Sequence, residues 1–89
     1  MSNEYHIAAL VVHCRDEAVA SVRAAIDEMA GAEVHAATEE GKLVVTLEQN
    51  NRAELQTGMH ALSLLSGVLS ASLTYHRVEG LDELGNTNG

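Results

Sequence analysis

The stretch EVHAATEEGKLVVTLEQ, residues 33–49, decides the fold. Residues 33–38 alternate weakly in hydropathy, Glu39-Glu40-Gly41 supplies turn chemistry, and residues 42–49 set Leu43, Val45 and Leu47 against Val44, Thr46 and Glu48. Two short period-two runs around a glycine turn make a β-hairpin. On either side of this hairpin the hydropathy period changes to that of a helix. Upstream, Asp16 is placed to cap a helix whose apolar positions Val19, Val22, Ile26 and Met29 recur every three to four residues, with Gly31 as its stop. Downstream, Asn51 with Glu54 forms a capping box ahead of Leu55, Met59, Leu62 and Leu65, and Ser66-Gly67 closes the run.

Outside the helices lie two more strand signals. HIAALVVHC, residues 6–14, is short, apolar and bounded by polar residues; residues 68–75 alternate Leu69, Ala71, Leu73, Tyr75 with Val68, Ser70, Ser72, Thr74. The order strand, helix, strand, strand, helix, strand is the split βαβ pattern, so the fold class is α+β, a ferredoxin-like βαββαβ plait. Right-handed crossovers give a four-stranded antiparallel sheet of order 4-1-3-2 with both helices on one face. One domain is expected over residues 1–78, with an acidic flexible tail over 79–89. Gly58 inside the second helix costs about 1 kcal/mol relative to Ala, and a close approach to the sheet or the first helix would offset it.

The chain has 89 residues, a formal charge of −8, no Trp or Phe, and only Tyr5 and Tyr75 as aromatics. Its core is therefore aliphatic. The charge disfavours nucleic acid and anionic lipid, which are drawn to clustered Lys and Arg, and suits a cationic partner as well as solubility. A single cysteine, Cys14, forms no internal disulfide; no basic-then-apolar opening stretch and no run near the ~20 apolar residues that cross a bilayer is present. A cytoplasmic setting is the expectation.

Alternation assigns every strand residue to a face, and a slip of one residue would exchange the faces. The larger apolar rows belong under the helices: Ala8, Leu10, Val12 and Cys14, Val34 and Ala36, Leu43, Val45 and Leu47, and Leu69, Ala71 and Leu73. The opposite face then carries Ile7, Ala9, Val11, His13, Val44, Thr46, Glu48, Ser70, Ser72, Thr74 and His76, joined by His35 and Ala37. A face bathed in water accommodates Lys, Glu and Arg at most positions, whereas these are small or β-branched. That composition points to a peptide laid on the sheet, with apolar contacts at Ile7, Val11 and Val44. Plain strand propensity, or a second copy of the domain, accounts for it equally in kind.

Chemistry beyond binding is sparse. His13 and Cys14 are adjacent in a strand and point to opposite faces, so they do not ligate one ion together; His6 and His76 approach across strands but make only two ligands. No paired-cysteine copper loop, RNA-stacking aromatics, Gly-rich phosphate loop or nucleophile-base arrangement stands out, and no catalytic residue, metal or cofactor is expected.

Four stretches carry a family resemblance: Ala9-Leu10-Val11-Val12, Gly31-Ala32-Glu33-Val34, Gly41-Lys42-Leu43-Val44-Val45, and Gly67-Val68-Leu69-Ser70-Ala71-Ser72-Leu73-Thr74-Tyr75-His76. In their order and spacing over residues 6–77 they resemble the NapD family, assembly chaperones of periplasmic nitrate reductase. The resemblance implies a non-enzymatic cytoplasmic chaperone that binds the twin-arginine signal peptide of the nitrate reductase catalytic subunit and delays export until the molybdenum cofactor is inserted. The peptide would lie as helix or strand on the open face, with its arginines near Glu48 or near the Glu39-Glu40 turn, on a monomer or weak homodimer. Two other uses of such a fold remain: a small-metabolite-binding regulatory module, and a small enzyme or metal carrier using His6, His13, Cys14 and His76.

Overall fold

A computed structural model describes residues 4–80. Four strands, β1 (Glu4–Cys14), β2 (Ala32–Ala37), β3 (Lys42–Gln49) and β4 (Val68–Gly80), alternate with two helices, α1 (Val19–Asp27) and α2 (Arg52–Ser63), in the expected order. All pairings are antiparallel and the sheet order is β2-β3-β1-β4, the ferredoxin-like plait with β1 and β3 in the centre.

The core forms where the helices meet the sheet. Ala8, Leu10, Val12 and Cys14 from β1 and Leu43, Val45 and Leu47 from β3 are buried against Val22 and Ile26 of α1 and Leu55 and Leu62 of α2. Each fully buried Leu, Val or Ile in this layer contributes roughly 1.5–3 kcal/mol. The faces of the two central strands follow the alternation: Val45 is 0% exposed and its neighbour Val44 is 39% exposed.

The helix ends differ in detail from the sequence reading. Asp16 does not cap α1. It opens a 3-10 turn, Asp16–Ala18, whose preceding residue Arg15 makes no side-chain cap bond, and α1 begins only at Val19. The chain arrives at that turn pinned by its backbone, Arg15 N–H donating to the Gly67 carbonyl at 2.9 Å and Ala18 N–H to that of Arg15 at 2.9 Å. Asn51 does cap α2, its Oδ1 accepting from Glu54 N–H at 2.8 Å. Gly58 sits where close packing was expected: a Cβ there would lie 2.8 Å from Leu47 Cδ2, so α2 rests directly on β3.

The edge strands depart from simple alternation. In β2 the register shifts between Val34, opposite Val45, and Ala36, opposite Val44. Directly opposed residues share a face, so Val34 stays under the helices while Ala36 faces away and Ala37, opposite Leu43, packs on the core. This reverses the assignment of Ala36 and Ala37. In β4 two shifts occur: Leu69 is the extra residue between Val68 (opposite Cys14) and Ser70 (opposite His13), and Thr74 the extra one between Leu73 (opposite Leu10) and Tyr75 (opposite Ala9). Leu69, expected in the core, is accordingly 66% exposed, and Val68 takes its place against the buried cluster.

β4 also runs past residue 75, pairing with β1 as far as Gly80 opposite Glu4. Residues 79 and 80 of the expected tail are thus strand; residues 81–89 lie outside the described residues.

Two substitutions test this account. Leu47→Ala empties the contact beneath α2 and lowers unfolding free energy by about 2–5 kcal/mol in urea titrations. Gly41 has φ +100° and a Cβ there would collide with the Cys14 carbonyl oxygen, so Gly41→Ala costs at least about 2 kcal/mol by the same measurement.

Candidate functional site

Because both helices lie on one side, the other side of the sheet is uncovered by any described element. Register builds this open face row by row. Ala36, Val44, Val11 and Ser72 form one row across all four strands; Glu33, Thr46, Ala9 and Tyr75 form the next. Beyond these lies Glu48, Ile7 and Arg77, then Tyr5 and Glu79; at the opposite end Lys42, His13 and Ser70 close the face. Its centre is small or apolar from β3 to β4, and apart from Glu33 on the β2 edge its charges are at the two ends.

Of the residues expected on this face, Ile7, Ala9, Val11, His13, Val44, Thr46, Glu48, Ser70 and Ser72 are brought together on it by pairing. Thr74 and His76 are not part of the same row. Thr74 occupies the bulge, where its hydroxyl donates to the Ala9 carbonyl at 3.0 Å and pins the extra residue to β1. The bulge inverts everything after it, so His76, opposite Ala8, falls on the helix side, where its ring stacks on His6 at 5.6 Å between centroids. His6 is 4% exposed, and its Nδ1 lies 3.4 Å from His76 Nε2.

The same inversion delivers residues that alternation had placed elsewhere or left unassigned. Tyr75, given no face by the sequence, is half exposed on the open face, followed by Arg77 and Glu79, which pair at 2.6 Å. One face position is also tied laterally: His35 Nε2 lies 2.7 Å from Thr46 Oγ1 across the β2 bulge. Nothing in the sequence marks the positions of these bulges; the only hint was Tyr75, an aromatic large enough to bridge to a partner.

His13 and Cys14 diverge as adjacent strand residues must: His13 Nδ1 lies 3.4 Å from Ser70 Oγ on the open face, while Cys14 is buried under the helices. Burial pushes the Cys14 thiol pKa up. Among the described residues no three His, Cys, Asp or Glu side chains converge as a metal site, and no helix is long and apolar enough to cross a membrane. On the helix side are two shallow grooves, one between the helices beside Met29, Gln49, Thr57 and Gly58, the other between α1 and β2 beside Asp16, Glu17, Arg23, Ala37 and Glu39.

The family model described as NapD protein matches residues 5–80, the whole folded region apart from its first residue. The chaperone NapD of Paracoccus pantotrophus is 31% identical over 78 residues, covering 88% of this chain and 69% of that protein. The solution structure of the E. coli Tat proofreading chaperone NapD superposes with a TM-score of 0.79 at 26% identity, covering 86% of this chain and 82% of that one.

The burial of Cys14 is directly measurable. Its thiol reacts with an aromatic disulfide reagent at pH 8 at least about a hundredfold more slowly in the folded protein than in denaturant, since both access and thiolate fraction are reduced; equal rates would place Cys14 at the surface.

Proposed function

The chain belongs to the NapD family, a family of chaperones, and from that premise we propose that it binds the twin-arginine signal peptide of a periplasmic nitrate reductase catalytic subunit on its open sheet face. Bound there, the leader is withheld from the export machinery while the molybdenum cofactor is inserted. The activity is that of a binding protein in the cytoplasm, with no catalytic step and no cofactor of its own, acting as a monomer or weak homodimer.

The observation that carries this reading is the composition of the uncovered face. From β3 across β1 to β4 its two central rows, Val44–Val11–Ser72 and Thr46–Ala9–Tyr75, hold no charged group. Water imposes no such restriction on a sheet surface, whereas a partly apolar peptide gains from it: contact with Ile7, Val11, Val44 and Tyr75 removes apolar area on both molecules from water. A twin-arginine leader joins a basic pair to an apolar run, and a protein of charge −8 favours such a partner during encounter.

Binding need not involve nucleotide. The contact is a surface contact without enclosure, so competition by the translocase suffices for release. The bulges of β4 support the reading in a second way, because they turn Tyr75 toward the face as an aromatic anchor, the residue type over-represented at the centres of protein interfaces.

Titration of isotope-labelled protein with a synthetic twin-arginine leader shifts backbone amides of β1 and β3 around Val11 and Val44 more than those of the helices. Val11→Glu and Val44→Glu each weaken binding at least about tenfold by burying an unpaired carboxylate, with the thermal midpoint unchanged because neither side chain contacts the core. Undiminished affinity in both variants would move the site off this face, and a calorimetric response to free amino acids in place of the peptide would favour a metabolite-binding module.

A further inference from the structure

We propose that the open face fixes the direction in which the leader lies: its basic end at the Glu48 end of the sheet, its apolar run over Ile7, Val11 and Val44 toward Lys42. The inference rests on the peptide-binding reading above and adds a polarity to it.

Register places the charges. The row Lys42–His13–Ser70 and the row Glu48–Ile7–Arg77 are six residues apart on β1 and β3, about 20 Å at roughly 3.3 Å per residue. At the Glu48 end three carboxylates share the face: Glu48, Glu79 and, one row inward on the β2 edge, Glu33. The cation there, Arg77, is held by Glu79 at 2.6 Å. Glu33 and Glu48 are exposed and, among the described residues, in no ion pair.

At the opposite end the face presents Lys42 and His13. Acidic residues are present at that end of the molecule as well, and of these Asp16, Glu17 and Glu39 line the helix side, while Glu40 lies in the exposed turn that precedes Lys42. Glu39 lines the groove between α1 and β2 together with Asp16, Glu17 and Arg23, alongside Ala37, whose side chain packs on the core. Arg15 at the same end lies 3.9 Å from Glu17. Of the two anionic landing places for a guanidinium pair, the Glu48 end is the one whose carboxylates are placed on the open face by strand pairing.

A leader laid in this direction pairs its arginines with free carboxylates, which accept guanidinium in a forked geometry, and passes its uncharged run over uncharged rows. Reversal brings the arginines against Lys42 and leaves Glu33 and Glu48 facing an apolar segment, so attraction is exchanged for repulsion and both changes disfavour it. The span suits either bound form, since about 20 Å is covered by some 14 residues of helix or six of strand.

The test uses the full chain, isotope-labelled, with a synthetic peptide of an Arg-Arg pair followed by an apolar run, carrying a nitroxide at one end or the other. The label before the arginines broadens amides of residues 46–49, 7 and 77; the label at the apolar end broadens those of residues 11–13, 42–44 and 70–72. The opposite pattern, or equal broadening of both sets by each label, overturns the direction while leaving the peptide-binding face intact. Broadening confined to the helices overturns the face and the direction with it. As an independent arm, Glu48→Gln lowers affinity for the Arg-Arg peptide about three- to fivefold and leaves its Gln-Gln counterpart unaffected, whereas Lys42→Gln does not weaken either; an equal loss for both peptides on Glu48→Gln overturns the assignment of Glu48 to the arginines.

Discussion

The structure depends on one asymmetry: two helices pack on the same side of a sheet whose central strands alternate strictly. The row Ala8, Leu10, Val12, Cys14 on β1 and the row Leu43, Val45, Leu47 on β3 are sealed by Val22, Ile26, Leu55 and Leu62. Once that seal forms, Val11 and Val44 have nowhere to go but the opposite face, because a one-residue slip would expel the whole core row into water. Gly58 tightens the seal by letting α2 rest on Leu47, a contact that a side chain at that position would hold apart.

The bulges of β4 are the second determinant of the surface. Nine consecutive residues, 68–76, carry no Asp, Glu, Lys or Arg on an edge strand, an arrangement that invites pairing with another chain. Extra residues at Leu69 and Thr74 interrupt the straight edge, one of the ways sheets blunt such edges. The same extra residues re-aim the strand's side chains. Tyr75 and the Arg77–Glu79 pair arrive on the open face, and His76 leaves it for the stack on His6. Edge protection and the composition of the face are therefore two results of one local geometry.

What emerges is a surface with an uncharged middle and unlike ends, on a chain that belongs to a chaperone family. The proposed peptide partner draws on both features, its apolar segment on the middle and its one-sided charge on the ends. Neither property needs a pocket, a metal or a nucleophile. Cys14 is buried under the helices and His13 lies on the open face, so the one adjacent pair of residues that suggested chemistry of another kind is split between the two sides of the sheet.

The sequence by itself determined the element order, the α+β plait, the Asn51 cap and the faces of β1 and β3, because a central strand buried on one side needs large apolar residues at every second position and shows them. It also held enough of the family's pattern to name the family. Only the tertiary structure decided the faces of β2 and β4. In β2 the residues on the two sides differ little, so alternation specifies register weakly; in β4 the alternation is clear, but extra residues at Leu69 and Thr74, the latter held by its hydrogen bond to Ala9, override it. The start of α1 was decided in the same way: backbone bonds from the arriving chain to Gly67 and within the turn, and no side chain of Asp16, set its first residues.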